Sequence, residues 1–168
     1  FIDFSYNENI LKNIDVFIIT VPTPIDQDKN PDLFHLIEAS KLVGKSIKEN
    51  VKSIFNKVII YESTVYPGVT EEICMPIVEK YSGIKFNSES DNNTFYCGYS
   101  PERINPGDKI HDINNIVKVT SGCNKIVTTW VDKFYGSFIK AGTFKTKSIK
   151  IAEAAKIIEN TQRDINIA

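Results

Sequence analysis

Two apolar runs, each followed by a proline, place the strongest limit on how this chain can fold. Residues 16–21 and 57–64 are rich in β-branched side chains, and turn residues close both runs. Such runs are typical of strands that are buried on both faces of a parallel sheet. Residues 31–49, which lie between them, have apolar side chains at helical spacing, with Pro31 in the first turn. A strand, a helix and a second strand predict a parallel pair joined by a crossover helix.

The same alternation continues along the rest of the chain. The pattern predicts further strands at residues 94–99, 116–120 and 139–144 and further helices at residues 70–81, 125–138 and 148–168. Thr70 is expected to be the N-cap of its helix, because Glu71 and Glu72 follow in the first turn. We therefore expect an α/β fold with a mostly parallel sheet, helices on both of its faces and a long final helix.

Composition narrows the possible functions. A chain of 168 residues, 42% of them hydrophobic, is long enough for one compact domain with a real core. The net charge of −1, with acids and bases interspersed, argues against nucleic-acid binding. The apolar runs are too short to span a bilayer and no signal peptide is recognisable, so we expect a cytoplasmic protein without a membrane partner.

The cysteines and histidines do not predict a metal site. Three widely spaced cysteines and two histidines form no ligand cluster. Cys74, Cys97 and Cys123 are expected to be free thiols in a reducing compartment. Cys74 falls in a predicted helix and Cys97 in a predicted strand, so both are interpreted as small core residues.

The final segment, residues 148–168, contains neither Gly nor Pro and is rich in Ala, Glu, Lys and Ile. Helical spacing places Lys156 and Asn160 on one face, with Glu153 and Arg163 near the same stripe. A second stripe is apolar and consists of Ile151, Ala155, Ile158 and Ile165. Two interpretations fit this segment: a solvated charged face, or a helix packed on both sides with Lys156 and Asn160 in a site. In such a site, the pair would stabilise an oxyanion or move a proton.

Three turns that follow predicted strands carry polar or charged side chains. They are residues 22–24, 62–64 and 100–103. Any one of them alone is more simply ordinary turn chemistry, in which Pro, Ser and Thr are common. The carboxyl ends of parallel strands meet at one edge of a sheet, where ligands bind. We therefore expect the three turns and the final helix to form one site.

Four segments, taken in order, resemble the nucleotide-sugar 6-dehydrogenases, the family that includes UDP-glucose dehydrogenase. They are Val-Pro-Thr-Pro at 21–24, Tyr-Glu-Ser-Thr-Val-Tyr-Pro-Gly at 61–68, Ser-Pro-Glu-Arg-Ile-Asn-Pro-Gly-Asp at 100–108, and the helix at 153–166. Arg103 and Pro106 occupy positions where the UDP-glucose branch typically has Phe and a second Glu. The likeness is therefore closer to the branch that oxidises UDP-N-acetylhexosamines, and it implies a Rossmann-like fold that binds NAD.

The resemblance implies a double oxidation, in which the C6 alcohol of the sugar becomes a carboxylate and two NAD+ become NADH. An aldehyde forms first, and a cysteine captures it on the way to a thioester that is hydrolysed. Carried over to this sequence, Lys156 and Asn160 stabilise the oxyanion at C6 and Thr64 positions a catalytic water. Glu102 works with that water or assists the hydrolysis.

The resemblance also implies which residues bind the cofactor and the substrate. The expected wall of the NAD pocket consists of Val21, Pro22, Thr23, Ser63 and Thr64. The expected contacts to the UDP-sugar come from Glu102, Arg103, Asn105, Lys156 and Asn160.

Two features of the family fall outside this sequence. The Gly-rich dinucleotide fingerprint belongs before residue 1, and no G-x-G-x-x-G occurs here. The nucleophilic cysteine belongs after residue 168. Residues 1–147 would be the C-terminal part of the NAD-binding domain, and residues 148–168 the start of the central helix between domains. We expect this piece alone to be inactive and to bind NAD poorly, whereas the parent chain would be a homodimeric enzyme joined through the central helix.

The leading hypothesis is a UDP-N-acetylhexosamine 6-dehydrogenase that makes a precursor of a surface polysaccharide. UDP-glucose 6-dehydrogenase is a first alternative. β-Hydroxyacid dehydrogenases are a second, because they also place a Lys and an Asn one turn apart on the helix after the Rossmann domain. A non-catalytic assembly partner is the third.

Overall fold

The structure, a computed structural model, describes residues 2–49, 57–87, 89, 93–103 and 115–167. Its strands are β1 Val16–Ile19, β2 Lys57–Tyr61, β3 Lys85–Phe86, β4 Thr94–Tyr99, β5 Lys118–Gly122 and β6 Thr143–Lys145. Its α-helices are α1 Phe34–Glu49, α2 Met75–Ser82, α3 Lys125–Gly136 and α4 Ile149–Ile167. A 3-10 helix, Glu8–Asn13, precedes β1, and a π-helical turn, Val69–Cys74, leads directly into α2.

The strands form one mostly parallel sheet, as predicted. Its order is β1-β2-β4-β5-β6, and the short strand β3 pairs with the start of β4. Every pairing is parallel except β4 with β5, where Tyr99 lies opposite Ser121. Because β5 runs against β4, its first residue, Lys118, lies at the edge where β4 ends.

Helices cover both faces of the sheet, which confirms the predicted layering. Ile59 and Tyr61 of β2 belong to a core shared with α1 and α2. Ile60 points to the opposite face, where it packs with Val127 and Val131 of α3. This division follows from the alternation of side chains along a strand. Strand β2 has apolar side chains on both faces of the sheet and is therefore buried on both.

Several element boundaries differ from the sequence prediction. Helix α1 begins at Phe34 instead of near Pro31. The Oδ1 atom of Asp32 accepts the Phe34 N–H at 2.8 Å, so Asp32 caps the start of the helix instead of forming part of it. Strands β1 and β2 end two to three residues earlier than predicted, which releases residues 20–24 and 62–64 from the sheet. Strand β5 begins at Lys118 instead of residue 116.

The prediction that Thr70 is an N-cap is wrong. Gly68 holds that position, with a φ of 102° that favours glycine, and no side chain of its own segment caps the turn. The carboxylate of Glu153, far along the chain in α4, accepts the backbone N–H of Gly68 at 2.6 Å and of Thr70 at 3.0 Å. A distant side chain thus satisfies amides that a local cap would ordinarily bind.

Within the described residues, helix α4 is packed on one side only, so neither interpretation of its sequence, a solvated charged face or packing on both sides, describes it fully. Ile149, Ala152, Glu153 and Lys156 are buried. The predicted apolar stripe faces outward: Ile151 is 48% exposed, Ile158 65% and Ile165 70%. The polar row that the sequence placed in a site is therefore the buried side of the helix. Among the described helices, none combines the length and apolar character needed to cross a membrane.

Candidate functional site

The first two predicted turns lie side by side at the carboxyl edge of the sheet. The Ser63 hydroxyl donates to the carbonyl of Val21 at 2.5 Å, and the Thr23 hydroxyl donates to the carbonyl of Thr64 at 2.6 Å. These two bonds cross between the turns in opposite directions. They tie the turns together beyond the ends of β1 and β2, where residues 21–23 and 63–64 form the predicted wall. The hydroxyls of Thr23 and Ser63 shape this wall by binding backbone.

The third turn is attached to helix α4 through Arg103. Its Nε atom lies 3.1 and 3.0 Å from the two carboxylate oxygens of Glu159, and its Nη2 atom lies 2.8 Å from Oε1. Its Nη1 atom donates to the carbonyl of Val117 at 2.9 Å. A forked guanidinium that meets a carboxylate through two nitrogens holds a fixed orientation. Arg103 therefore locks this turn against α4.

Glu102 belongs to the third turn and directly precedes Arg103. One of its carboxylate oxygens accepts the backbone N–H of Arg103 at 2.6 Å. Its charge also interacts with Lys156 of α4. These two predicted catalytic residues are therefore near enough for their charges to interact. Asn105, predicted to contact substrate, lies outside the described residues.

Lys156 is 7% exposed, and its burial lowers the pKa of its ammonium group. The charge of Glu159 acts against this shift, and the charges of Arg163 and Arg103 reinforce it. Asn160, one turn further along, accepts a hydrogen bond from Arg163 at 3.2 Å through its side-chain oxygen, so its amide nitrogen is oriented by its neighbour. A lysine in such surroundings can donate hydrogen bonds to an anion and give up a proton more readily than an exposed lysine.

A groove of about 630 Å³ adjoins this group of residues. Its wall includes Lys156, Arg103 and Pro101, but the rest is mainly apolar and comes from α4, β5 and β6. Thr64, Glu102 and Asn160 do not line it. The groove therefore lies next to the candidate site, on the side where the apolar stripe of α4 is exposed.

Sequence reasoning missed the two glutamates that fix α4 in place, Glu153 and Glu159. Both lie within one turn of Lys156, and their spacing was visible in the sequence. Nothing local distinguished them from solvated acids, because their partners, Gly68, Thr70 and Arg103, are 56 to 85 residues away.

The cysteines agree with the sequence prediction of free thiols. Cys74 and Cys97 are buried, as expected of core residues, and burial raises the pKa of Cys74 to about 11. Burial also raises the pKa of Cys97 well above its usual range. Cys123 is half-buried, and a hydrogen bond with the Cys97 thiol lowers its pKa.

Comparison with known proteins identifies the family. Residues 2–139 match the model of the UDP-glucose/GDP-mannose dehydrogenase family, NAD binding domain. The UDP-N-acetyl-D-glucosamine 6-dehydrogenase of Pseudomonas aeruginosa is 53% identical over 167 residues, which are 99% of this chain and 37% of that protein. The enzyme of the same name from Salmonella typhi is 50% identical over 168 residues, which are 100% of this chain and 37% of that protein.

A solved structure gives the same result. The UDP-D-ManNAc dehydrogenase of Pyrococcus horikoshii matches with a TM-score of 0.81 and 31% sequence identity, over 97% of this chain and 36% of that one. The chain spans 37% of the length of the two curated relatives named above. Its ordered motifs, its mostly parallel sheet and these matches lead to one conclusion: the chain belongs to the UDP-glucose/GDP-mannose dehydrogenase family, and its residues 2–139 correspond to the NAD-binding domain of that family.

Proposed function

We propose that the whole protein is an NAD-dependent UDP-N-acetylhexosamine 6-dehydrogenase that oxidises the C6 alcohol of its sugar to a carboxylate in two steps. The observation that carries the proposal is Lys156, a buried lysine whose charge interacts with that of Glu102 beside the carboxyl edge of a mostly parallel sheet. The identity of 50 to 53% to two UDP-N-acetyl-D-glucosamine 6-dehydrogenases supports UDP-N-acetyl-D-glucosamine as the substrate.

We expect one end of a dinucleotide to bind against the wall beyond β1 and β2. The Thr23 and Ser63 hydroxyls donate to backbone carbonyls across the two turns, so they hold the wall together. Val21, Pro22, Thr23, Ser63 and Thr64 would hold the cofactor there. NAD supplies the hydride acceptor when it is bound. The sequence has no Gly-rich loop for the pyrophosphate, so we expect residues 1–168 alone to bind NAD poorly.

The chemistry proposed for this chain's residues follows from their surroundings. Lys156 and Asn160 donate hydrogen bonds to the oxygen on C6 as negative charge develops on it, which is most effective in a buried site. Thr64 holds a water molecule, and Glu102 accepts a proton from it. Arg103, fixed by Glu159, contacts the substrate. The thiol that forms the covalent intermediate comes from elsewhere in the whole protein.

We further propose that the whole protein is a cytoplasmic homodimer joined through the helix that begins with α4. The outward-facing Ile151, Ile158 and Ile165 support this proposal, because an exposed apolar stripe is typical of a surface that another polypeptide covers. Its product would be a uronic acid precursor of a surface polysaccharide, a role that rests on the family resemblance.

The test is to count the NADH formed per sugar by the whole protein. UDP-N-acetylglucosamine, UDP-N-acetylmannosamine, UDP-N-acetylgalactosamine and UDP-glucose are compared in parallel. We expect two NADH per molecule of an acetylated sugar. One NADH per molecule would support a single oxidation instead, and no NADH from any sugar, with NAD binding intact, would refute the proposal.

A matched pair of lysine variants connects the activity to the site. Lys156→Ala should lower kcat by roughly 100-fold to 1000-fold, because it removes a buried donor to the developing oxyanion. Lys150→Ala changes an exposed lysine on the same helix that pairs with Glu72, and it should leave kcat unchanged. Equal kcat values for the two variants would exclude the proposed role of Lys156.

A further inference from the structure

A buried lysine outside the recognised motifs joins two carboxylates at the edge of the sheet. Lys118 is the first residue of β5 and is 5% exposed. The antiparallel course of β5 brings it to the edge where the turns after β2 and β4 lie. Burying an ammonium group is costly unless opposite charges accompany it, so its partners matter.

The partners of Lys118 come from both turns. Its Nζ atom lies 3.3 Å from Oε2 of Glu62 and 3.7 Å from Oε2 of Glu102. Glu62 directly precedes Ser63 and Thr64, which belong to the proposed cofactor wall. Lys118 therefore links the turn that carries Thr64 to the turn that carries Glu102.

Helix α3 closes this cluster from the side. The Nζ atom of Lys118 lies 5.2 Å from the centre of the Tyr135 ring. The Tyr135 hydroxyl donates a hydrogen bond to Oε1 of Glu62. With one oxygen bound to Tyr135 and the other facing Lys118, the Glu62 carboxylate is held in place, and it holds Lys118 in turn.

We propose that Lys118 is a positioning residue for Glu102: its ammonium group holds the Glu102 carboxylate beside the turn that carries Thr64. The inference rests on the proposed function, in which Glu102 accepts a proton. Because the Lys118 ammonium group contacts both Glu62 and Glu102, it fixes the turn that carries the proposed water relative to the turn that carries the proposed base.

Other groups near Glu102 limit the size of the effect. Among the described residues they include Lys118 of β5, Glu62 after β2, Tyr135 of α3, Lys156 of α4 and the adjacent Arg103. Without Lys118, the negative charges of Glu62 and Glu102 would face each other with less compensation. Lys156 still attracts the Glu102 carboxylate, so the loss of Lys118 should displace Glu102 without detaching it from the site.

The test is steady-state kinetics of the whole protein, with kcat and KM measured separately. Lys118→Met should lower kcat by about tenfold or more with a smaller change in KM, because it displaces Glu102 from the proposed water. Lys118→Arg keeps the cation and should restore kcat. Lys145→Met is the matched control: Lys145 lies on the neighbouring strand β6, 3.5 Å from Asp132 and half-exposed, and its loss should leave kcat unchanged.

A second variant tests the same link from its other end. Glu62→Gln removes the charge that holds Lys118 from the turn after β2, so kcat should fall in the same direction. This variant decides the question if Lys118→Met fails to fold. An unchanged kcat in either folded variant overturns the inference. A wild-type protein that forms no NADH from any UDP-sugar would reject the proposed function instead, so the two failures are distinguishable.

Discussion

Replacing Glu153 by alanine tests the reason that α4 docks where it does. Glu153 is fully buried, and its carboxylate accepts the N–H groups of Gly68 and Thr70 at 2.6 and 3.0 Å. The positive end of the helical segment that begins there also favours an anion. The alanine variant leaves both amides buried without this acceptor.

The magnitude follows from those two bonds. A buried donor that loses its acceptor costs about 1–3 kcal/mol, and more if the acceptor was charged. Two donors therefore predict a loss of roughly 3–4 kcal/mol in the free energy of unfolding for Glu153→Ala. Glu153→Gln keeps one acceptor oxygen and should lose about 1–2 kcal/mol. Lys150→Ala, on the exposed side of the same helix, should leave stability nearly unchanged.

Urea unfolding of the three variants and hydrogen exchange of the Gly68 and Thr70 amides measure the effect. A loss of about 3 kcal/mol corresponds to a folded population reduced by more than 100-fold relative to the unfolded one. The carboxylate does not stabilise this turn if the free energy of unfolding of Glu153→Ala lies within about 0.5 kcal/mol of the wild-type value, or if the two amides keep their protection from exchange.

Three further predictions concern separate parts of the structure. Glu159→Gln removes a charge that raises the pKa of Lys156, so the ammonium should lose its proton at lower pH and the alkaline limb of kcat should move down. Gly122→Ala should lower the free energy of unfolding in urea by about 1–3 kcal/mol, because the added Cβ would lie 2.5 Å from a backbone nitrogen of α3. Gly136→Ala is the control and should be tolerated, because the nearest atom to its Cβ would be 3.8 Å away. A disulfide reagent should label Cys123 before the two buried cysteines, as peptide mapping would show.

The strands and helices were predictable because their signals are local. The apolar runs of β1, β2 and β4 and the helical spacing of α1, α3 and α4 are properties of short segments, and the structure has these elements where the sequence placed them, within a few residues. The closeness of the three turns was predictable because the carboxyl ends of parallel strands lie at one edge of a sheet. The order of motifs then led to the family.

The side-chain partners were not predictable because they depend on pairings between distant segments. Thr70 had the local sequence of an N-cap, yet Glu153 accepts its amide from 83 residues away. Lys118 looked like one polar residue in an alternating strand, because the antiparallel turn of β5 was not visible in its own sequence. Arg103 was expected to contact substrate or cofactor, and the structure shows that Glu159 orients it first.

The bond between Glu153 and the Gly68 amide has a consequence for protein synthesis. The chain emerges from the ribosome with Gly68 first, and its acceptor is made 85 residues later. At about 5–20 residues per second, the acceptor is synthesised roughly 4–17 s after that amide. The turn that leads into α2 therefore reaches its final structure only after α4 has been translated, so it cannot complete its folding when its own segment is made.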